Sequence, residues 1–191
     1  FRSMFSVVDP TDESNLGPTI ASVAEVRWPE PGVVEGYGLV GGLSGTGSAI
    51  CPTGVRAYLK NYILTQLSTE TLDVAKLIDS KNTAVVQLVG LIPAVVSKGD
   101  SFDVRIRPVD GSDATSLRGG WLYEAELRSQ GASQVKSRVL ATVEGAVFVT
   151  LIGTTEPVPT DGYVIGGGVA SYDYSGALRL RRTDYATAST I

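Results

Sequence analysis

Polar and apolar positions alternate most cleanly from Ser101 to Val109, where Phe102, Val104 and Ile106 point one way and Asp103, Arg105 and Arg107 the other. A period of two predicts a strand with one wet face. Less regular apolar runs, separated by Gly, Pro, Asp and Ser, predict strands at Ile20–Arg27, Val33–Val40, Ala84–Ile92, Leu117–Arg128, Gln134–Val143 and Ala146–Ile152. Pro29 and Pro31 place a turn between the first two, which are expected to form a connected pair. The period changes at Thr53–Leu67. There Val55, Tyr58, Leu59, Tyr62, Ile63 and Leu67 recur at helical spacing while Arg56, Lys60 and Gln66 face away, and Thr53 is placed to cap the first turn. A weaker helical stretch covers Leu72–Ile78. Near the end, Leu178 and Leu180 alternate with Arg179 and Arg181, and Thr183, Asp184 and Tyr185 open like a helix that has no stop signal before Ile191. That ending reads as a chain cut from something longer.

These elements predict an α+β fold of strand-rich mixed or antiparallel sheets, with one principal helix at about 53–67 and a C-terminal helix start. They occupy residues 19–191, as one region or two small lobes, behind a polar lead-in over residues 1–18 that is expected to be flexible. A chain of 191 residues is long enough to bury a substantial core.

Composition narrows the chemistry. There is no histidine, so Ser-His-Asp and Cys-His sites and the commonest zinc sites cannot be assembled; acid–base work would fall to carboxylates, Lys or Tyr. The single Cys51 cannot form an internal disulfide and is expected to be a small buried apolar group. A net charge of −4 offers no basic footprint for nucleic acid. Phe1–Leu16 lacks the pattern of an export signal, so any targeting segment is expected to lie outside this sequence. The uncharged stretch Gly36–Val55 holds seven glycines and Pro52, and uncharged Asn82–Ser97 is short and contains Gln87 and Pro93. Neither is expected to span a membrane.

Three constellations invite chemistry. Gly36, Gly38 and Gly41 match G-x-G-x-x-G, but no helix follows at once, no acid stands about 20 residues on and no Lys supports a phosphate loop, which favours a glycine-rich bend packed against other backbone. Glu124 and Glu126, two apart on an expected strand, put their carboxylates on one face about 7 Å apart, a separation an inverting glycosidase can use. Arg105 and Arg107 share that spacing, so a cross-strand ladder of opposite charges accounts for both pairs without catalysis. Arg179, Arg181 and Arg182 suit either an anionic polymer or partner, or a solvated edge that discourages strand pairing.

Ile20–Arg27 (IASVAEVR) followed by Gly36–Gly47 (GYGLVGGLSGTG) resembles the opening signature of flagellar P-ring proteins, the periplasmic subunits of the ring around the flagellar rod. Lys81 and Asn82 lead a valine-rich strand into Pro93 and Gly99; Asp103, Val104 and Asp113–Gly120 (DATSLRGG) follow in that family's order, with looser likeness at Thr160–Val164 and Arg181–Ile191. Gly41, Ser48 and Gly166–Gly168 depart from the valine, aspartate and charged residues of the family pattern. The resemblance marks Gly36, Tyr37, Gly38, Gly45, Gly47, Lys81, Asn82, Ser116, Leu117, Gly119 and Gly120 as signature structural residues. It implies Sec-type export, a periplasmic location in the flagellar basal body, assembly into a closed ring of copies, and contact with rod, outer-membrane ring and peptidoglycan. With no histidine, no metal-ligand cluster and no phosphate loop in proper context, no cofactor and no catalysis are expected. The other reading is a carbohydrate-active or peptidoglycan-binding envelope protein that uses Glu124 and Glu126.

Overall fold

A computed structural model of the chain describes residues 24–27, 30–66, 73–131, 137–149, 159–173 and 176–181. The lead-in 1–18 and the expected helix start at Thr183 lie outside the described residues. The chain forms two units, Phe1–Trp28 with Gly176–Ile191, and Pro29–Ser175.

In the first unit, β1 (Ala24–Arg27) pairs antiparallel with β9 (Ala177–Leu180), with Glu25 opposite Arg179. The expected pairing of the first two strands is therefore incorrect. The reason lies in β2 (Gly32–Gly41), whose ten residues pair in unbroken register with β3 (Thr83–Ile92) on one edge and whose other edge takes β5 (Trp121–Ser129), leaving β1 no free edge there.

The second unit is a closed barrel. Its strands run in the order β4 (Ser101–Pro108), β3, β2, β5, β6 (Ala141–Ala146), β8 (Gly162–Ala170), and β8 returns to β4. Two further residues, β7 (Phe148–Val149), continue along the edge of β8 that β6 occupies. Every pairing among the described residues is antiparallel, which settles the choice between mixed and antiparallel sheets. Strand β8 escaped the sequence reading because Gly166, Gly167 and Gly168 interrupt its alternation. The register against β4 shifts there, with Gly166 at φ +62° and its N–H donating to Asp103 Oδ1 at 2.7 Å. The strand expected from Leu117 starts four residues later, since Gly119 at φ +74° and a Gly120 N–H to Leu117 O bond make a turn. Similarly, the strand expected from Gln134 is present from Ala141, and that expected over Ala146–Ile152 is present as Phe148–Val149, with Thr150–Ile152 outside the described residues.

Inward-facing Val34, Val40, Val86, Leu88, Val104, Ile106, Leu122, Leu127, Val143 and Val164 fill the barrel and are all at most 1% exposed. Glycines on β2 allow close approach of its neighbours: a Cβ at Gly36 would stand 2.3 Å from the Glu126 carbonyl. A second apolar cluster lies outside the barrel wall. There α1 (Thr53–Gln66) and α2 (Val74–Ile78) cover Leu39 and Val85 with Leu59, Val74 and Ile78, joined by Val109. The Asp73 carboxylate caps α2 by accepting from the Lys76 N–H, and α1 begins on a bond from the Arg56 N–H to the Pro52 carbonyl, so Pro52 takes the capping position expected of Thr53.

Leu59 is fully buried, whereas Val55, Tyr58 and Ile63 are half-buried against the same cluster and Tyr62 is half-buried beside Tyr58. Arg56, expected to face away, instead reaches Asp79 in an ion pair that ties α1 to the end of α2. Leu59→Ala should cost about 2–5 kcal/mol, since it removes the fully buried side chain of α1 from its contact with the outer cluster. Urea denaturation followed by circular dichroism measures this, and a loss within 0.5 kcal/mol (~0) would mean that the helix does not depend on this contact.

Candidate functional site

Eight of the eleven signature residues lie in the connections at one end of the barrel, and the other three lie midway along β2. Gly36, Tyr37 and Gly38 lie on β2, Gly45 and Gly47 in the loop after it, Lys81 and Asn82 in the turn before β3, and Ser116, Leu117, Gly119 and Gly120 in the connection from β4 to β5. Main-chain bonds join the three connections. Leu43 N–H donates to Asn82 O at 3.0 Å, Gly47 N–H to Lys81 O at 2.8 Å and Ser48 N–H to Thr83 O at 2.8 Å, while Thr115 N–H donates to Thr46 O at 2.9 Å. The Thr46 hydroxyl lies within hydrogen-bond distance of Leu43 O (2.7 Å) and Ser116 O (2.9 Å), which share its one proton.

Ser48, fully buried, is the centre of this knot. Its hydroxyl donates to Asp113 Oδ1 at 2.6 Å and accepts from the N–H groups of Ile50 and Asp113. Asp113 also receives Lys81, and that hydrogen bond, reinforced by Ser48, holds its carboxyl below the ordinary carboxylate range. Thr46, Ser48 and Asp113 were missing from the signature set. No spacing rule links Ser48 to a carboxylate 65 residues away; the signals were its departure from the family's aspartate and Asp113 at the head of the Asp113–Gly120 run.

The G-x-G-x-x-G match lies within β2, ahead of a loop, and its glycines serve packing. Gly38 faces Leu122 and Leu88 inside the barrel, and Gly41 lies beneath the Tyr123 ring. Neither glycine is placed to cradle a phosphate.

The expected ladder between Arg105/Arg107 and Glu124/Glu126 does not form. Strand β4 pairs with β3 and β8, so β3 and β2 stand between it and β5. Arg105 instead holds Asp161, with Nε to Oδ1 at 3.1 Å, and Arg107 donates to Gln87 Oε1 at 3.0 and 2.8 Å. Glu126 accepts from Arg128 on its own strand at 2.6 Å. A register shift between Leu122 and Ala125 turns both Tyr123 and Glu124 outward, beside α1.

That shift helps to form a cavity of about 470 Å³ between α1 and the barrel wall, lined by Tyr37, Leu39, Leu59, Tyr62, Tyr123 and Glu124 among others. Tyr58 and Tyr62 stack with ring centroids 6.2 Å apart. Their hydroxyls are buried, with Arg128 beside that of Tyr58 and Gln66 beside that of Tyr62 but neither in good hydrogen-bond geometry. Burial, then Glu124 and Glu126, push the Tyr62 hydroxyl up to about 12; burial and Glu126 raise Tyr58, against the opposing charge of Arg128. Both phenols therefore stay protonated at neutral pH. Arg128 is 9% exposed and its Nε has no partner among the described residues. Glu126 is paired with Arg128 while Glu124 lines the cavity, so one of the two carboxylates is already engaged. Cys51 is half-buried beside the outer cluster, and burial raises its thiol pKa. Arg179 and Arg181 are exposed in the other unit, and Arg182 lies outside the described residues.

The model of the flagellar P-ring protein family matches residues 19–191. The chain belongs to that family. It is 29% identical to the flagellar P-ring protein of Rhizobium etli (strain CIAT 652) over 206 residues, covering 97% of this chain and 52% of the relative. It is 31% identical to that of Gluconobacter oxydans over 166 residues (82% and 43%), and 30% identical to flagellar P-ring protein 1 of Photobacterium profundum over 178 residues (89% and 43%). The chain thus spans about half the length of the curated relatives it matches. The span matched to the P-ring family includes both the knot and the cavity.

Two predictions follow from this geometry. A Cβ at Gly47 would stand 2.0 Å from the Thr83 carbonyl and 2.7 Å from that of Lys81, so Gly47→Ala should cost about 1–3 kcal/mol, whereas Gly54→Ala, facing open space, should cost nothing. Equal urea midpoints for the two variants would contradict this role for the knot. Tyr62 titrates at about 12 in the fold against 10.0 ordinarily, so the folded state retains a proton that the unfolded chain loses first, and its contribution falls as pH rises from about 10 to 12. Tyr62→Phe should therefore lessen the loss of stability across that window while changing stability at neutral pH by less than about 1 kcal/mol. Melting curves at pH 7 and along an alkaline series measure both effects.

Proposed function

We propose that this chain forms the barrel-bearing part of a structural subunit of the flagellar basal body, a member of the periplasmic ring around the rod that assembles from copies of itself. The observation that carries this reading is the family match over residues 19–191, which takes in the whole barrel. The fold supports a structural role. A closed barrel whose connections are bonded to one another at one end is a stiff module, and it keeps its backbone polar groups satisfied without a partner. On this reading the contacts are other copies, the rod, the outer-membrane ring and peptidoglycan, and the protein performs no catalysis.

The carbohydrate-active reading gains nothing from the geometry of Glu124 and Glu126, because Arg128 occupies one of the two carboxylates. Deletion of the gene in its native bacterium, followed by electron microscopy of isolated basal bodies, tests the proposal: the ring around the rod should disappear and return on complementation. Basal bodies that keep a complete ring after deletion would overturn it. Cleavage of peptidoglycan fragments by the purified protein, abolished by Glu124→Gln or Glu126→Gln, would establish the enzymatic reading instead.

A further inference from the structure

The cavity between α1 and the barrel wall has no part in the structural role proposed above. Its volume of about 470 Å³ falls within the ~300–1,000 Å³ of small-molecule sites, and its side chains are aromatic and aliphatic apart from Gln66 and Glu124. Three tyrosines from three elements meet there: Tyr37 from β2, Tyr62 from α1 and Tyr123 from β5. Each is held in place from behind or below. Tyr37 packs against the outer cluster, and Tyr62 lies nearly parallel to Tyr58, at 13°. Tyr123 stands over Gly41, where a Cβ would come within 2.8 Å of its ring.

Charge in this wall has one sign. Among the described residues that line the cavity, Glu124 alone is charged at neutral pH. The nearby cations do not neutralise it: Arg128 is held by Glu126, Arg56 by Asp79, and Lys60 is exposed on α1. Residues 67–72, which join α1 to α2 outside the described residues, bring a further carboxylate, Glu70, and no Lys or Arg. The place of Glu124 is set by the extra residue in β5. Regular alternation after Leu122 would send position 124 into the barrel, whereas the bulge turns Tyr123 and Glu124 outward together. Bulges re-aim side chains in this way beside binding sites. The field of the carboxylate reaches the rings, since Glu124 helps to raise the Tyr62 hydroxyl.

We infer that this cavity binds a small organic cation, an ammonium group on an apolar body, with its charge beside Glu124 and the tyrosine rings and its apolar part against Leu39 and Leu59. Aromatic faces carry the negative end of the ring quadrupole, so three tyrosines and one carboxylate attract a cation together. An anion is repelled by both. A neutral apolar molecule fits the aliphatic part of the wall but brings the Glu124 carboxylate no compensating charge for the water it displaces. The inference does not depend on the ring reading, and the two stand or fall separately.

Titration of the full-length protein with benzyltrimethylammonium, benzyl alcohol and phenylacetate, followed by NMR of ring-labelled tyrosines, provides the test. The cation should shift the signals of Tyr37, Tyr62 and Tyr123 saturably, with a Kd on the order of 1 mM or below. It should bind about tenfold more tightly than benzyl alcohol, and phenylacetate should not bind. Glu124→Gln should abolish the preference for the cation while leaving the weak binding of benzyl alcohol as it was. Tyr123 is half-exposed, so its replacement spares the core. Tyr123→Leu should weaken the cation by about tenfold, and Tyr123→Phe, which keeps the ring, should restore it. The inference is overturned by any of four results: no saturable shift with the cation, shifts confined to other tyrosines, tighter binding of benzyl alcohol or phenylacetate, or wild-type affinity for the cation in Glu124→Gln. Equal affinities of the Tyr123→Leu and Tyr123→Phe variants would likewise remove the role given to the rings.

Discussion

Pairing of β8 on both edges, with β4 on one side and with β6 and β7 on the other, is the constraint on which the second unit depends. It joins the first and last strands of an antiparallel sheet and removes both edges. Once the sheet is closed, one face of every strand must be filled from within, and small residues must stand where the walls approach most closely. Gly36 and Gly38 on β2 and Gly168 on β8 meet that requirement: a Cβ on any of them would come within 3 Å of a neighbouring strand's atoms. The helices can then pack only against the outside, which is why the protein has two apolar clusters with the barrel wall between them.

The knot and the cavity are two ways of using that wall. At the knot, loop backbone takes the place of a further strand: main-chain N–H groups of one connection find carbonyls of another, and Ser48 brings the Asp113 carboxylate into the same network. At the cavity, the extra outward residue on β5 separates helix from sheet. Tyr123 covers Gly41 while Glu124 borders a space that the tyrosine rings surround but do not fill. Main-chain hydrogen bonds between connections characterise the first region, and stacked, partly buried tyrosines the second.

Much of this was legible in the sequence where local pattern decides structure. The alternation at Ser101–Val109, the helical spacing of Val55, Leu59 and Ile63, and the valine-rich run to Ile92 each produced the expected element. The eleven signature residues were recognised by resemblance, and the gathering of eight of them in the connections at one end of the barrel became visible only through topology. Partner choice was not legible. Arg105 has the same spacing to Arg107 whether its carboxylate comes from β5 or, as found, from Asp161 beside β8. The partner of β1 was equally hidden, because a proline-containing link between two strands says nothing of whether their edges are already taken. Strand β8 was missed because a bulge built from three glycines erases the alternation by which strands are recognised.

The β1–β9 ribbon has a consequence for how the chain folds. Arg27 pairs with Ala177, so the barrel is an insertion of about 150 residues between two strands of four residues each. Closing so long a loop for so few hydrogen bonds is entropically unfavourable in an unfolded chain, and a two-stranded ribbon is marginal on its own. Folding of the inserted barrel brings its own ends into a compact body, and the loop entropy then no longer opposes the ribbon. Connectivity therefore favours an order in which the middle of the chain folds before its flanks pair.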